Sequence, residues 1–321
     1  MNSELLTQNL LAPAVLAFAV GVVARLCRSD LAFPEAISQG LAIYLLFAIG
    51  LKGGQALDTV DPLAVVLPAL ATIALGCLTA WISFAAAQRI GRLGRPDAAA
   101  FAAHFGSTSA VTFLAASAYL YHRGIPFEGF LPALLVIMEI PGIAIALALA
   151  GRTEAGGLWP ALGRVAASKS IVLLLGGMLV GWMANREGLE KTAGFFVAPF
   201  VGVLCLFLLD LGTVAADRLK AIGRGFAPLV ALGIALPLVN GTLGAAVGTL
   251  VGLNPGGATL LAVLCASASY IAAPAAVRSA LPQADLGRCL AIAIGVTFPF
   301  NLALGIPLYT WLAQSFAGWR G

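Results

Sequence analysis

Apolar residues run along this chain in long blocks, separated by short connectors that hold most of the charge. Ten blocks approach or exceed the about 20 residues that cross a bilayer as a helix. The first five run roughly 10–27, 35–54, 62–88, 98–121 and 128–150. The second five run roughly 162–184, 194–216, 226–252, 257–280 and 287–315. The pattern predicts an all-α polytopic membrane protein with about ten transmembrane helices.

Two blocks are interrupted by hydroxyls. The fourth contains Ala103-His104-Phe105-Gly106-Ser107-Thr108-Ser109-Ala110-Val111-Thr112, and the ninth contains Cys265-Ala266-Ser267-Ala268-Ser269-Tyr270 followed by Pro274. Ser and Thr side chains compete for the local backbone, Gly106 adds freedom, and Pro274 lacks an N–H. Irregular backbone at membrane depth is tolerated only where it is buried in protein or lines a watery cavity. The fourth and ninth helices are therefore expected to be broken.

Landmarks recur in the same order in the two halves. Leu46–Leu51 loosely matches Phe207–Gly212, and Pro68 matches Pro237. Gly106-Ser107-Thr108-Ser109 matches Ala266-Ser267-Ala268-Ser269, and Ile140-Pro141-Gly142 matches Phe298-Pro299-Phe300. Five helices per half insert the second half upside down, a 5+5 inverted-topology repeat of the kind transporters use. Chance similarity between apolar segments is the competing explanation.

Charge sets the orientation. With ten helices, 13 of the 18 basic residues fall on one side, among them Arg25, Arg89, Arg152, Arg164, Lys169, Arg218, Arg224, Arg278 and Arg288. Lys52, Arg123, Arg186, Lys191 and Arg320 fall on the other. Short loops rich in Lys and Arg stay cytoplasmic, so both termini are expected outside. Glu4 rather than a basic stretch precedes the first block, which reads as a retained helix, not a cleaved signal. Tyr119, Tyr121, Trp159, Trp182, Tyr309, Trp311 and Trp319 fall near block ends, as an aromatic belt would.

Composition narrows the function. Only 10% of residues are charged, against about 25% in a soluble domain, and the mean hydropathy is +0.99. A net charge of +4 gives no reason to expect a nucleic-acid partner. The five cysteines lie mostly in apolar runs without CxxC spacing, which fits packing residues. No Walker sequence, HExxH or nucleophile elbow is present, and the longest polar connector, Gly151 to Pro160, is too short for a nucleotide-binding fold. Neither ATP-driven transport nor an enzyme is expected.

A broken helix offers a positive N-terminus to anions and free carbonyls at its C-terminus to cations. Ser107, Ser109, Thr112, Ser267 and Ser269 add neutral oxygens, which suit a hard cation such as Na⁺. Small residues also mark close helix packing, the plainer explanation. Two carboxylates lie inside apolar blocks, Glu139 just before Pro141 and Asp210. A charge at the bilayer centre costs about 2.5–3.5 kcal/mol on insertion scales, so each is a functional candidate. Glu139 could cap free N–H groups, hold a cation, or serve a proton-coupled carrier or cation/proton antiporter. Asp210 could pair with Arg218. His104 could reach the side of Ser107 or simply pack, and Arg278 reads as an inner-face anchor.

Six ordered landmarks carry a likeness to a known family. They are Pro34-Glu35-Ala36-Ile37, Ile49-Gly50-Leu51-Lys52-Gly53-Gly54, Phe105-Gly106-Ser107-Thr108-Ser109, Met138-Glu139-Ile140-Pro141, Ala266-Ser267-Ala268-Ser269 and Ala280-Leu281-Pro282. Over nearly its whole length the chain resembles the sodium-dependent bicarbonate transporters of cyanobacteria. The resemblance implies a multi-pass protein of a bacterial-type inner membrane, a homotrimer that imports bicarbonate with Na⁺ as coupling ion and no other cofactor. It implies a gate (1–61 and, with a cytoplasmic connector, 151–225) against which a core (62–150 and 226–321) moves like an elevator. Bicarbonate would meet Phe105, Gly106, Ser107, Thr108, Ser109, Ser267, Ala268, Ser269 and Tyr270, and Na⁺ would meet Ser107, Ser109, Thr112, Glu139 and Ser269. The chain departs from that pattern at Tyr270, where cyanobacterial members carry an acid. Their long polar linker is nearly absent too, which weighs against a PII-like regulator.

Overall fold

The computed structural model describes residues 3–57, 60–151 and 158–319, and among them all regular structure is helical. In chain order the first half comprises α1 (Ser3–Leu10), α2 (Pro13–Leu26), α3 (Glu35–Leu57), α4 (Pro62–Arg89), α5 (Arg95–Phe105), α6 (Ala110–His122) and α7 (Leu131–Ala150). The second comprises α8 (Leu158–Ala166), α9 (Lys169–Met183), α10 (Arg186–Phe196), α11 (Phe200–Lys220), α12 (Ala227–Leu250), α13 (Pro255–Ala266), α14 (Ala272–Ala280) and α15 (Leu286–Gly318). Arg152 and Gly156-Gly157 of the central connector, and Arg320, lie outside the described residues.

Local chemistry sets several starts. Asp61 accepts the N–H of Leu63 and Asn254 that of Gly257, each followed by a proline at the first helical position, where no N–H is missed. Asn185 caps α10 in the same way. That helix occupies what the sequence reading leaves as a connector; it is too short and too charged to cross a bilayer. In α15, two π-helical turns, Ala293–Thr297 and Asn301–Gly305, flank Phe298–Phe300 and lie beside Pro299 and Pro307. Each proline withdraws a backbone donor, and a wider turn absorbs the change.

Seven helices among the described residues are long and apolar enough to span a membrane, or eight if α8 and α9, bent by 50°, count as one. The predicted blocks all fall on helices, but α2 and α13 are too short to span alone, and the ninth block divides into α13 and α14. Within the first block a break at Leu11-Ala12 separates α1 from α2.

Packing without large side chains organises the rest. α2 lies along α11 and α3 along α9, both pairs parallel. A Cβ on Gly21 would overlap the Leu209 carbonyl, and its neighbour there is the Cα of Gly212; Gly50 meets Gly177 in the same manner. Small residues at such crossings let backbones touch, which drives association where lipid removes the hydrophobic gain. Large apolar side chains such as Leu63, Trp81, Val172, Leu179 and Leu250 face outward.

The two most enclosed elements are α5, buried from Ala98 to Phe105, and α13, buried from Gly256 to Ala266. Both end in mid-protein. Tyr309 belongs to this interior and not to an aromatic belt: it is fully buried and donates to Asn301 Oδ1 at 3.0 Å. Tyr121, Trp159, Trp182 and Trp319 are exposed.

Candidate functional site

α5 stops at Phe105 because Gly106, Ser107 and Thr108 leave the helical ladder, and α6 restarts behind Ser109, whose side chain accepts the N–H of Thr112 at 3.2 Å. The second break follows the same chemistry. α13 ends at Ala266, and Ser269 Oγ accepts the N–H of Ala273 in α14 at 3.2 Å. A serine side chain thus relieves the first free donors of each new helix.

The breaks are bonded to one another. Ser269 N–H donates to the His104 carbonyl at 2.7 Å, and His104 Nδ1 stands 2.6 Å from the Ser269 carbonyl. A carbonyl only accepts, so Nδ1 carries the proton. Ser267 Oγ accepts the Ser109 N–H at 2.8 Å and donates to the Leu264 carbonyl at 3.1 Å. Its one proton being used there, Thr108 is the donor in the 3.1 Å Thr108–Ser267 contact. The last carbonyl of α13, Ala266, accepts from Asn301 Nδ2 at 2.9 Å.

α4 and α7 frame the first break. Gly106 lies against Ala80 of α4, and a Cβ on Gly142 of α7 would overlap the Gly106 carbonyl. This close crossing brings Glu139, about one turn before Gly142, to the break. Glu139 is 3% exposed, and its Oε2 has no hydrogen-bond partner among the described residues. Ser107 Oγ, His104 Nε2 and the Tyr270 hydroxyl are likewise unpartnered there.

Thr108, Ser109, Ala110, Glu139, Ser269, Tyr270 and Ile271 line a cavity of about 10 Å³, on the order of one water molecule. An eighth lining residue, Ser170, comes from α9, and sequence reasoning missed it. The signal was the polar triplet Ser168-Lys169-Ser170 inside an apolar block. The N-termini of α6 and α14 open on this cavity, so its potential favours an anion, while Glu139 adds a carboxyl group to the lining.

Five candidate residues therefore meet in one place: Thr108, Ser109, Glu139, Ser269 and Tyr270. Ser267 braces them from behind. Phe105 stacks on Phe101 at 4.3 Å instead of facing the cavity. Ser107, Thr112 and Ala268 are buried but do not line it, and Gly106 serves the contact with α4. Asp210 lies half-buried on α11, away from the cavity, and forms no ion pair with Arg218; the acid paired at that end of α11 is Asp217, with Arg25 at 2.7 Å and Lys220 at 3.8 Å. Among the described residues no group of three or more His, Cys, Asp or Glu side chains is placed to hold a metal ion.

Long apolar helices around a buried polar cavity, with hydroxyls and one acid at interrupted turns, define a multi-pass membrane protein built around an internal site. The chain belongs to the Na⁺-dependent bicarbonate transporter superfamily, whose sequence profile matches residues 13–314. It is a membrane transporter, not an enzyme. No curated protein matches the chain by sequence.

Proposed function

We propose that the chain imports bicarbonate together with Na⁺, by movement of a core against a gate. The observation that carries this reading is the pair of serine-capped breaks, bonded together, that open two helix N-termini on one cavity beside Glu139. The anion would lie against the N-termini of α6 and α14, with the hydroxyls of Thr108, Ser109 and Ser269 as neutral partners. The cation would neutralise Glu139 and take oxygens from the hydroxyls and the carbonyls freed at the first break. The family to which the chain belongs supports both ions.

Contacts related by an inverted 5+5 repeat support the architecture. Gly21 of α2 meets Gly212 of α11, and Gly177 of α9 meets Gly50 of α3. Each half opens with a short helix, a break and a longer helix, α1–α2 and α8–α9. Glu128, between α6 and α7, accepts the Asn254 N–H that precedes α13, while Asp97 of α5 accepts the Asp285 N–H that precedes α15. On this reading residues 1–61 and 151–225 form the gate, and 62–150 and 226–321 the core. The homotrimer, the bacterial inner membrane and the outward termini come from the resemblance and the charge asymmetry.

The test is uptake of labelled bicarbonate into proteoliposomes with Na⁺ or K⁺ outside. Uptake that a Na⁺ gradient drives uphill is expected. Uptake equal to that of empty liposomes under every gradient overturns the substrate. A second reading, proton coupling, is favoured by Tyr270, which leaves Glu139 the one carboxylate among the described residues that line the cavity. Uptake that follows an imposed pH gradient and ignores Na⁺ would select it.

A further inference from the structure

α8 and α9 together form one bent path through the protein, and the bend falls at Ala167-Ser168. The register of α9 on α3, Gly50 against Leu174 and Gly177, sets Ser170 level with about the middle of α3. The break therefore lies alongside the body of α3 and not at its end. Ser168 accepts the Ile171 N–H at 3.5 Å and so caps α9 as Ser109 caps α6. Ser170 is 2% exposed and reaches the same cavity as Glu139, Ser109 and Ser269. Its hydroxyl lies 3.2 Å from that of Ser168, an arrangement in which Ser168 can donate and leave the Ser170 proton for a third group.

Three helices of eight residues or more thus begin at one cavity: α6 and α14 from one side, and α9 from the other. Helix N-termini alone do not make a site. Here Glu139 Oε2, 3% exposed, lines that cavity without a partner and marks a place for a ligand.

We propose that Ser170, at the N-terminus of α9, is a third contact for the transported oxyanion, so that the anion itself joins the gate to the core. This rests on the proposed function. A trigonal oxyanion has three oxygens, and α6, α14 and α9 each present a capped end to it. The α9 contact is made only while the core stands at this height. Its loss as the core moves away would leave the anion held by the core alone, and the gate contact becomes a check on what is carried: chloride, a single atom without oxygens, cannot meet all three helix ends at once.

The experiment has two arms on the full-length protein in proteoliposomes. In the first, Ser170→Ala raises the KM for labelled bicarbonate about 10-fold with little change in maximal rate, the effect of losing a hydrogen bond to a charged group, while Ser170→Thr, which keeps the hydroxyl, stays close to the parent. In the second, bicarbonate slows maleimide labelling of the Ser170→Cys variant at least 5-fold and chloride does not, with peptide-resolved mass spectrometry separating the introduced thiol from the five native cysteines. Normal uptake with an unchanged KM and no protection overturns the role of Ser170 and keeps the transport reading. Protection without uptake keeps the anion contact and overturns transport. Neither uptake nor protection overturns both.

Discussion

His104 and Ser269, 165 residues apart, are joined twice: the Ser269 N–H donates to the His104 carbonyl, and the His104 ring returns a bond to the Ser269 carbonyl. Both residues are fully buried, so the pair fastens the end of one broken helix to the start of another. His104→Ala removes the ring bond and leaves a void. The expected cost is about 2–4 kcal/mol, read as a fall of several degrees in the thermal unfolding midpoint in detergent. A midpoint within error of the parent would show that the bond does not hold the breaks together.

Glycines at the breaks and away from them differ in what surrounds them. Gly142→Ala must push α7 off the Gly106 carbonyl, whereas Gly202→Ala points into open space. Uptake is expected to fall at least 10-fold in the first variant. It should be retained in the second, where alanine favours the helix by up to about 1 kcal/mol. Equal uptake by the two would mean that the contact between α7 and the break is not needed.

Glu139→Gln keeps the shape of the side chain and removes its charge. If Glu139 is where the cation sits, stimulation of bicarbonate uptake by external Na⁺ disappears in this variant. Stimulation equal to that of the parent would move the cation elsewhere.

Glu128 offers a test at the membrane surface. Its Oε1 accepts the Asn254 N–H at 2.7 Å, while Oε2 is buried without a partner among the described residues. Burial raises its pKa above the ordinary 4.5. The folded protein therefore holds this proton more tightly than the unfolded chain does. The stabilisation is complete below the ordinary value and is lost as pH rises through the raised one. Glu128→Gln should flatten the dependence of the unfolding midpoint on pH over that window, and match or exceed the parent at neutral pH. An unchanged slope would assign the dependence to other groups.

Much of this was legible in the sequence, for reasons that particular residues make plain. Pro68, Pro237, Glu139 and the two serine-rich stretches carry local signals, because proline, a buried acid and a capping hydroxyl act on the backbone next to them. What the sequence hid depends on neighbours distant along the chain. Ser170 is a single hydroxyl in an apolar block until α9 is laid against the breaks. Tyr309 has the spacing of a belt residue, and only Asn301 draws it inside. The Gly21–Gly212 and Gly50–Gly177 crossings were blurred because one apolar helix reads much like another, and their register is fixed by contact between backbones.

The bond from Asn301 to the Ala266 carbonyl makes the two breaks unequal dependants. α13 is tethered by its own half of the chain, through α15 and Tyr309 behind it. α5 is tied by His104 to Ser269, in the other half. A disturbance in α15 therefore acts on the end of α13 through Asn301, and on the start of α5 through the bond from the Asp285 N–H to Asp97. Damage to α15 is felt at both broken helices, at the inner end of one and the outer end of the other.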